Sequence, residues 1–303
     1  MYRTILVPLD GSAFGERALP MATALARAMN AQLILVSAAS ATAFPGMDAT
    51  EAQVQAVAEA QAYLLSLATE LSSQCLRVDV AAPYGDPAES ILLEIDLRHV
   101  DLVVMCTHGR SGLGRWIYGS VAEQVLARSP VPVLLVRHSG EVATLGPERE
   151  QASLLVPLDG SAFAETALPH AVALARTFGG SILLLRTVEE SMAARRYPSM
   201  AIMQEAAQED RRTAKTNLDG VAQRLRQEGV AVHTMVLKGW AADVIAYRGA
   251  ALGPRLIVMA THGRTGIARW LLGSVAQEVI RRSPLPVLLV RPTELQGPVL
   301  TEA

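Results

Sequence analysis

The sequence predicts an α/β fold built from two copies of one doubly wound, parallel-sheet domain. The first indication is a repeat: VPLDGSAF occurs identically at residues 7–14 and 156–163. In the same way, SPVPVLLVR at 129–137 closely matches SPLPVLLVR at 283–291. The second is that short apolar runs alternate with helical segments in each copy, which is typical of parallel strands joined by helices. A repeat of this length indicates a duplicated domain rather than a solenoid.

The apolar runs predict five strands in each copy. In the first copy the strands are TILVPL, QLILVSA, LRVDVAAPYG, DLVVMC and VPVLLVR. Most of them are near-continuous apolar stretches, as expected for strands buried on both faces of a parallel sheet.

Four helices separate these strands. They are ERALPMATALARAMN, a long segment over about residues 50–73, DPAESILLEIDLRHV and SVAEQVLARS. Ser12 can cap the first helix, and Pro87 suits the first turn of the third. Pro20 and its counterpart Pro169 fall well inside the predicted first helices, where the missing N–H predicts a kink.

The fifth strand predicts how the two copies meet. It starts with Pro132, which is typical of an edge strand, and it is strongly apolar. An exposed apolar edge favours pairing with another strand, and the nearest partner is the equivalent strand at 287–290. We therefore predict antiparallel pairing of the two fifth strands, which gives a pseudo-two-fold pair within one chain.

The repeat also sets domain boundaries. We predict a first domain over residues 1–139, a polar linker over 140–151 and a second domain over 152–303. Asp159 lies 149 positions after Asp10, whereas Gly263 lies 154 positions after Gly109. The second copy therefore carries five extra residues in its central helical segment.

The composition predicts a cytoplasmic protein. Of 303 residues, 50% are hydrophobic and the formal net charge is −2. This charge provides no electrostatic attraction to nucleic acid or to an anionic membrane. No run of 18 apolar residues or signal peptide is apparent. Cys75 and Cys106 have no metal-type spacing and are interpreted as reduced thiols.

Two loops in each copy could bind a ligand. Asp10-Gly11-Ser12 follows the first strand, and a glycine-rich loop from Thr107 runs to Gly119-Ser120, where a helix begins. A helix N-terminus favours anions, Ser120 could bond a phosphate oxygen, and Arg110 or Arg115 could partly neutralise it. The same residues could equally be turn glycines and a helix cap. Neither G-x-x-x-x-G-K-[ST] nor G-x-G-x-x-G after the first strand is present.

The chain resembles the universal stress protein family in its tandem two-domain form. The resemblance is carried by VPLDGS at the start of each copy and by the family's ATP-binding pattern, G-x2-G-x9-G-[ST]. Gly109 with Gly119-Ser120, and Gly263 with Gly273-Ser274, match the later part of that pattern. At its first glycine this chain has Cys106 in one copy and Ala260 in the other.

The resemblance implies flavodoxin-like, five-stranded sheets of order 3-2-1-4-5 and an ATP site in each copy. Adenine would approach the loop after strand 2, the ribose Asp10 or Asp159, and the phosphates the glycine-serine loop, above Met105 or Met259. The implied nucleotide-binding residues are Pro8, Leu9, Asp10, Ala38, Met105, Cys106, Thr107, Gly109, Arg110, Gly119, Ser120 and Val121, then Pro157, Leu158, Asp159, Thr187, Met259, Ala260, Thr261, Gly263, Arg264, Gly273, Ser274 and Val275.

Three functions remain open at this stage. The leading one is a nucleotide-responsive stress protein that binds ATP, with Mg²⁺ near Asp10 and Asp159, and acts by binding. Cys106 and Ala260 instead favour a nucleotide-free interaction module. A slow ATPase is the third, but no P-loop lysine or water-activating base accompanies Asp10 and His108. A further homodimer of the internal pair is also left open.

Overall fold

The computed structural model shows how the two copies form one sheet. It describes residues 2–41, 48–107, 119–137, 154–188, 201–261 and 272–291. The predicted linker at 140–151 lies outside these residues.

Within the residues that the structure describes, there are ten strands and eight longer helices. The strands are β1 Thr4–Pro8, β2 Gln32–Val36, β3 Arg77–Ala81, β4 Leu102–Cys106, β5 Val133–Val136, β6 Leu154–Pro157, β7 Ser181–Val188, β8 Ala231–Lys238, β9 Leu256–Ala260 and β10 Val287–Val290. The helices are α1 Leu19–Met29, α2 Ala49–Ser73, α3 Pro87–Leu97, α4 Ser120–Arg128, α5 Leu168–Phe178, α6 Ala201–Gln227, α7 over 241–252 and α8 Ser274–Arg282. Helix α7 is irregular: it opens with the turn Ala241–Asp243, continues as a π turn, Val244–Gly249, and ends with a 3-10 turn, Ala250–Leu252.

The sheet has the strand order β3-β2-β1-β4-β5-β10-β9-β6-β7-β8. Within each copy all strands are parallel, which confirms the predicted order 3-2-1-4-5. β10 runs antiparallel to β5, which confirms the predicted pairing of the fifth strands. Leu288 pairs with Leu134, its own equivalent in the repeat, so the pseudo-two-fold axis passes through this pair.

Each face of the sheet carries four helices over one continuous core. Helices α1, α2, α5 and α6 cover one face, where Leu25, Leu64 and Leu218 are buried. Helices α3, α4, α7 and α8 cover the other, where Val125 and Val279 are buried. Both cores run across the β5–β10 junction, so the two copies share their apolar interior.

Side chains also join the copies outside the strands. The equivalent arginines, Arg137 and Arg291, each reach the other copy: Arg137 Nη1 donates to the Ser283 carbonyl at 2.5 Å, and Arg291 Nη1 to the Ala127 carbonyl at 3.4 Å. These carbonyls lie at the C-terminal ends of α8 and α4, where a cation is favoured by the helix dipole. Tyr2 and His170 add a further contact, with the tyrosine oxygen 2.7 Å from His170 Nδ1.

One helix prediction was wrong. The structure has no kinked helix around Pro20; instead a helical turn at Gly15–Ala18 is followed by a new helix, α1, which starts at Leu19. Pro20 therefore lies in the first turn, where its missing N–H leaves no hydrogen bond unmade. Pro169 occupies the same place in α5. Ser12 does not cap α1 but accepts a hydrogen bond from Gly15 N, at 3.1 Å.

Across the described ranges, no helix is both long and apolar enough to cross a bilayer.

Candidate functional site

Each copy has a cavity at the carboxyl end of its first and fourth strands. The first cavity, of about 290 Å³, lies beyond Pro8 of β1 and Cys106 of β4. The second, of about 230 Å³, lies beyond Pro157 of β6 and Ala260 of β9. β1 and β4 are the neighbours at which the chain order of the sheet reverses, and this is where open α/β sheets bind ligands.

The two cavities are lined by equivalent positions of the repeat. Every lining residue of the first has its counterpart lining the second, 149 positions later up to Ala38 and 154 positions later from Pro87 onward. Five pairs differ in residue type, and they are Gly15/Ala164, Val36/Leu185, Ala38/Thr187, Pro87/Ala241 and Cys106/Ala260. The duplication has thus kept the shape of one site twice while altering its walls.

All predicted site residues that the structure describes line their cavities. In the first copy these are Pro8, Leu9, Asp10, Ala38, Met105, Cys106, Thr107, Gly119, Ser120 and Val121. In the second they are Pro157, Leu158, Asp159, Thr187, Met259, Ala260, Thr261, Gly273, Ser274 and Val275. Gly109, Arg110, Gly263 and Arg264 lie outside the described residues, as do Arg115 and His108.

An acidic turn forms one wall of each cavity. Asp10 Oδ1 accepts hydrogen bonds from Ser12 N at 3.1 Å and Ser12 Oγ at 2.6 Å. Asp159 Oδ1 accepts the same pair from Ser161, at 2.9 and 2.5 Å. These bonds close an Asx-type turn through a glycine with positive φ. The carboxylate is therefore held in one orientation at the cavity wall.

The start of a helix forms another wall of each cavity. Gly119 N donates to the Thr107 carbonyl at 2.8 Å, and Gly273 N donates to the Thr261 carbonyl at the same distance. Gly119 and Gly273 are the N-cap residues of α4 and α8, and neither provides a capping side chain. The N–H groups of the first helical turn lack intrahelical acceptors, so this wall presents donors and the positive end of a helix dipole.

The backbone conformation at position 119 does not require a glycine. Its φ is −61°, which any residue adopts. Among the described residues, a Cβ built on it would meet the Thr107 carbonyl oxygen alone, at an ordinary 3.9 Å. A glycine N-cap is also weaker than a serine or aspartate cap. The position therefore leaves space at the cavity wall, which suits close approach of a ligand to the backbone.

The floor of each cavity comes from the last residues of the fourth strand. Met105 is 5% exposed and Met259 is 6% exposed. Cys106 and Ala260, which stand where the family pattern has glycine, are both buried and line the cavities. The first cavity thus carries a thiol where the second carries a methyl group.

The third wall was missed by sequence reasoning. Pro87 and Ile91 of α3 line the first cavity, and Ala241 and Ile245 of α7 line the second. The available signal was spacing: Pro87 and Ile91 are four residues apart, so they share one face of a helix that begins after β3. Val36 and Leu185 were missed as well, although each directly precedes the loop assigned to the adenine.

This third wall differs between the copies in how its helix begins. Asp86 caps α3 by accepting hydrogen bonds from Ala88 N and Glu89 N, both at 3.0 Å. Its counterpart Trp240 has no capping side-chain bond and is 65% exposed. The wall of the second cavity is therefore an uncapped segment with a π turn, and π turns are frequent at functional sites.

Protein residues alone do not form a metal centre in the described ranges. No group of three or more histidine, cysteine, aspartate or glutamate side chains is placed there to hold an ion. Asp10 and Asp159 each place one carboxylate at a cavity. Proteins commonly provide one or two carboxylate ligands to Mg²⁺ when the phosphates of a substrate supply further ligands.

Comparison with known proteins finds one family over both copies. Residues 1–137 and 152–291 match the universal stress protein family. A universal stress protein of Methanocaldococcus jannaschii is 33% identical over 140 residues, covering 46% of this chain and 81% of that protein. One from Thermus aquaticus is 35% identical over 138 residues, covering 45% of this chain and 100% of that protein.

A solved structure shares the whole architecture. The crystal structure of a universal stress protein from Archaeoglobus fulgidus DSM 4304 covers 95% of this chain and 98% of its own, with a TM-score of 0.74 and 22% identity. At that identity the likeness concerns the fold alone.

Proposed function

Because the chain belongs to the universal stress protein family, we propose that it is a nucleotide-responsive stress protein that binds ATP in both cavities. It acts by binding rather than by turnover. The two family domains are residues 1–139 and 152–303, joined by the linker at 140–151. A cytoplasmic location belongs to this proposal, since a reducing compartment suits the thiols of Cys75 and Cys106.

The observation that carries the proposal is the pairing of the two walls. An acidic turn and an uncapped helix start line the same cavity, and the arrangement occurs twice with equivalent residues. A nucleotide needs both kinds of group: hydroxyl acceptors for the ribose and N–H donors for the phosphates. A ligand without an anionic part would leave the helix donors unused.

The family resemblance orients the nucleotide in this proposal. Phosphates lie against the N–H groups at Gly119 and Ser120, whose side chain is exposed to the cavity mouth. The ribose lies at Asp10 and adenine at Ala38. In the second copy Thr187 replaces Ala38 and offers a hydroxyl to the base. Mg²⁺, when bound with ATP, would be held by the phosphates and the carboxylate of Asp10 or Asp159.

The side chains of Cys106 and Ala260 favour a second function. Each places a β-carbon where the family pattern has none, and this reduces the space for the phosphates. A nucleotide-free interaction module would then present the surface of the paired sheet to another protein.

The first experiment measures nucleotide directly. The purified chain is denatured, released nucleotide is identified by chromatography and mass spectrometry, and nucleotide-free protein is titrated calorimetrically with ATP and Mg²⁺. We expect two ATP per chain. No binding at millimolar ATP would overturn the proposal in favour of the interaction module.

Two sets of variants test the site itself. Gly119→Val and Gly273→Val, made singly, should each reduce the stoichiometry from two ATP to one, so the intact copy serves as the internal control; the double variant should bind none. Cys106→Gly and Ala260→Gly restore the family glycine and should tighten binding in their own copy. Thermal melts must show that each variant is folded. Unchanged affinity in the double valine variant would rule out this location.

Turnover is tested separately. Phosphate release by the unaltered chain should be no faster than release by the Asp10→Ala, Asp159→Ala double variant. A clearly faster rate would instead favour the ATPase.

A further inference from the structure

Strand β8 forms one outer edge of the ten-stranded sheet, and β3 forms the other. β8 pairs with β7 along its whole length, from Ala231 to Lys238. An edge strand presents backbone N–H and C=O groups on the side away from its neighbour, and a strand from another chain can pair with them. The groups that already occupy this side decide whether β8 can accept another strand.

Two arginines cover the ends of the β8 edge. Arg226 of α6 donates to the Val232 carbonyl oxygen, from Nε at 3.2 Å and from Nη2 at 2.7 Å. Arg248 of α7 donates to the Lys238 carbonyl oxygen from Nη1, at 2.7 Å. Both carbonyl groups therefore point away from β7 and are occupied.

Thr234 and Val236 lie between these covered ends. Alternate residues of a strand direct their backbone groups to the same side, so the N–H and C=O groups of both residues also point away from β7. Within the described residues, no hydrogen bond reaches these groups. Both residues are partly buried and line a groove of about 840 Å³ between β8 and α6. We call the outward backbone groups of these two residues the open edge.

The first copy closes the equivalent edge with its own side chains. Val80 of β3 is the counterpart of Thr234, and its N–H donates to Asp79 Oδ1 at 2.9 Å. Asp79 is held in turn by an ion pair with Arg98, at the end of α3. A carboxylate thus occupies the N–H group that an added strand would need.

The second copy has lost both members of this ion pair. The counterparts of Asp79 and Arg98 are His233 and Leu252, and both are exposed. A leucine cannot hold a side chain by charge, and an imidazole brings no carboxylate to the strand edge. The open edge is therefore a feature of the second copy and does not come from the duplication itself.

Basic side chains of α6 lie beside the open edge. Lys215 Nζ donates to Thr234 Oγ1 at 3.2 Å, which marks the level at which the helix passes this residue. Since α6 joins the parallel strands β7 and β8, it runs antiparallel to them, and it rises about 1.5 Å per residue against about 3.3 Å in a strand. Arg211 and Arg212 are therefore level with Val236, and both are exposed in the groove.

The two arginines give the open edge a positive charge. Lys215 is neutralised by an ion pair with Asp219, at 2.5 Å. In the part of the chain that the structure describes, no acidic side chain pairs with Arg211 or Arg212. Two acidic residues line the groove farther toward the end of β8, at Glu205 and Glu209. The charge beside the open edge itself therefore favours an acidic partner.

We propose that the open edge binds an extended segment of a partner protein as an additional strand, with an acidic side chain of that segment beside Arg211 and Arg212. Backbone hydrogen bonds to Thr234 and Val236 hold the segment, and the carboxylate selects it. A second copy of this chain is disfavoured, because symmetric pairing of two β8 edges brings the same arginines together. The proposal goes beyond nucleotide binding and does not depend on it.

The test is an NMR titration of the ¹⁵N-labelled full chain with two capped seven-residue peptides. In one peptide threonine alternates with glutamate, and in the other lysine replaces glutamate. We expect saturable shifts with the glutamate peptide, larger at the outward amides of Thr234 and Val236 than at the inward amides of His233 and Met235. Its affinity should exceed that of the lysine peptide by roughly threefold or more. No saturable shift with either peptide, or equal affinities, would overturn the proposal.

Two paired substitutions locate the binding. His233→Asp with Leu252→Arg copies the closed edge of the first copy without changing the net charge, and it should abolish the saturable shifts. Arg211→Gln with Arg212→Gln should remove the preference for the glutamate peptide. Arg176→Gln is the control, because this arginine does not line the groove. A preference that survives loss of both groove arginines, or that the control also removes, would contradict the assignment.

A proline variant tests the backbone pairing by itself. Val236→Pro removes one outward N–H and leaves the bonds between β8 and β7 in place, so it should weaken the glutamate peptide roughly fivefold. Thermal melts must show that the variant is folded, and unchanged affinity in the folded variant would contradict strand addition. Sedimentation of the chain without peptide checks the other occupant. A dimer that Val236→Pro abolishes would assign the edge to a second copy and overturn the proposal.

Discussion

The pair at the pseudo-two-fold axis allows a quantitative prediction. Leu134 and Leu288 are each 1% exposed and are direct partners in the β5–β10 ladder. Changing Leu288 to alanine removes three carbon groups, worth about 2.4 kcal/mol at ~0.8 kcal/mol each. The cavity left behind raises the loss of unfolding free energy to about 3–4 kcal/mol. Leu134→Ala should cost the same, because it is the equivalent residue.

The double variant distinguishes this pair from two independent leucines. The two side chains lie opposite each other in the ladder. The loss of unfolding free energy in the double alanine variant should therefore differ by about 0.5 kcal/mol or more from the sum of the losses in the two single variants. Leu64 provides the control: it is fully buried on α2, which packs over β2 and β3. β2 lies four strand spacings, roughly 19 Å, from β10, so Leu64→Ala and Leu288→Ala should be additive.

Urea unfolding followed by far-UV circular dichroism measures these free energies. The slopes of the transitions must agree between variants for the comparison to hold. A loss below about 1 kcal/mol for Leu288→Ala would refute the idea that this pair holds the copies together. Strict additivity of Leu134→Ala and Leu288→Ala would refute their direct contact.

Three further predictions follow from single side chains. Asp86→Ala should lower the unfolding free energy by about 1 kcal/mol, because α3 loses the cap provided by two hydrogen bonds; urea melts of Asp86→Asn, which keeps an acceptor, serve as the comparison. Burial lowers the pKa of His170, so its contribution to stability is present above the ordinary histidine pKa and is lost as the pH falls through the lowered value. Melts across this window should show a smaller pH dependence for the Tyr2→Phe, His170→Met variant than for the unaltered chain; an identical dependence would contradict the assignment. In a Cys75→Ser background, ATP should slow alkylation of Cys106, which mass spectrometry follows; a rate indifferent to saturating ATP would contradict nucleotide contact with that thiol.

The sheet could be predicted from the sequence because the chain contains two copies of the domain, which can be compared with each other. Two copies with the same apolar runs define the strands, and the proline at the start of an apolar fifth strand identifies the edge that pairs. Pro20 was misjudged for a physical reason: alanine and leucine on both flanks favour one continuous helix, while the proline itself favours a helix start. The break at Leu19 satisfies both preferences, and local propensity alone could not choose it.

The candidate site was predictable where loops follow strands and not where helices pack. Asp10 and Gly119 stand next to recognisable turns, so the topology brings them to one cavity. Ile91 and Ile245 line the cavities because α3 and α7 pack against the same face of the sheet. That packing involves side chains from the whole face and is not recorded in any short motif.

The antiparallel junction has a consequence for how the molecule meets other proteins. β10 runs opposite to β5, and every other strand runs parallel within its own copy, so the carboxyl ends of the two sets of strands point in opposite directions. The cavity beyond β1 and β4 and the cavity beyond β6 and β9 therefore open on opposite sides of the molecule. A protein that docks over one mouth leaves the other exposed. Under the proposed function, a nucleotide bound in one cavity would face a different side of the molecule from a nucleotide bound in the other.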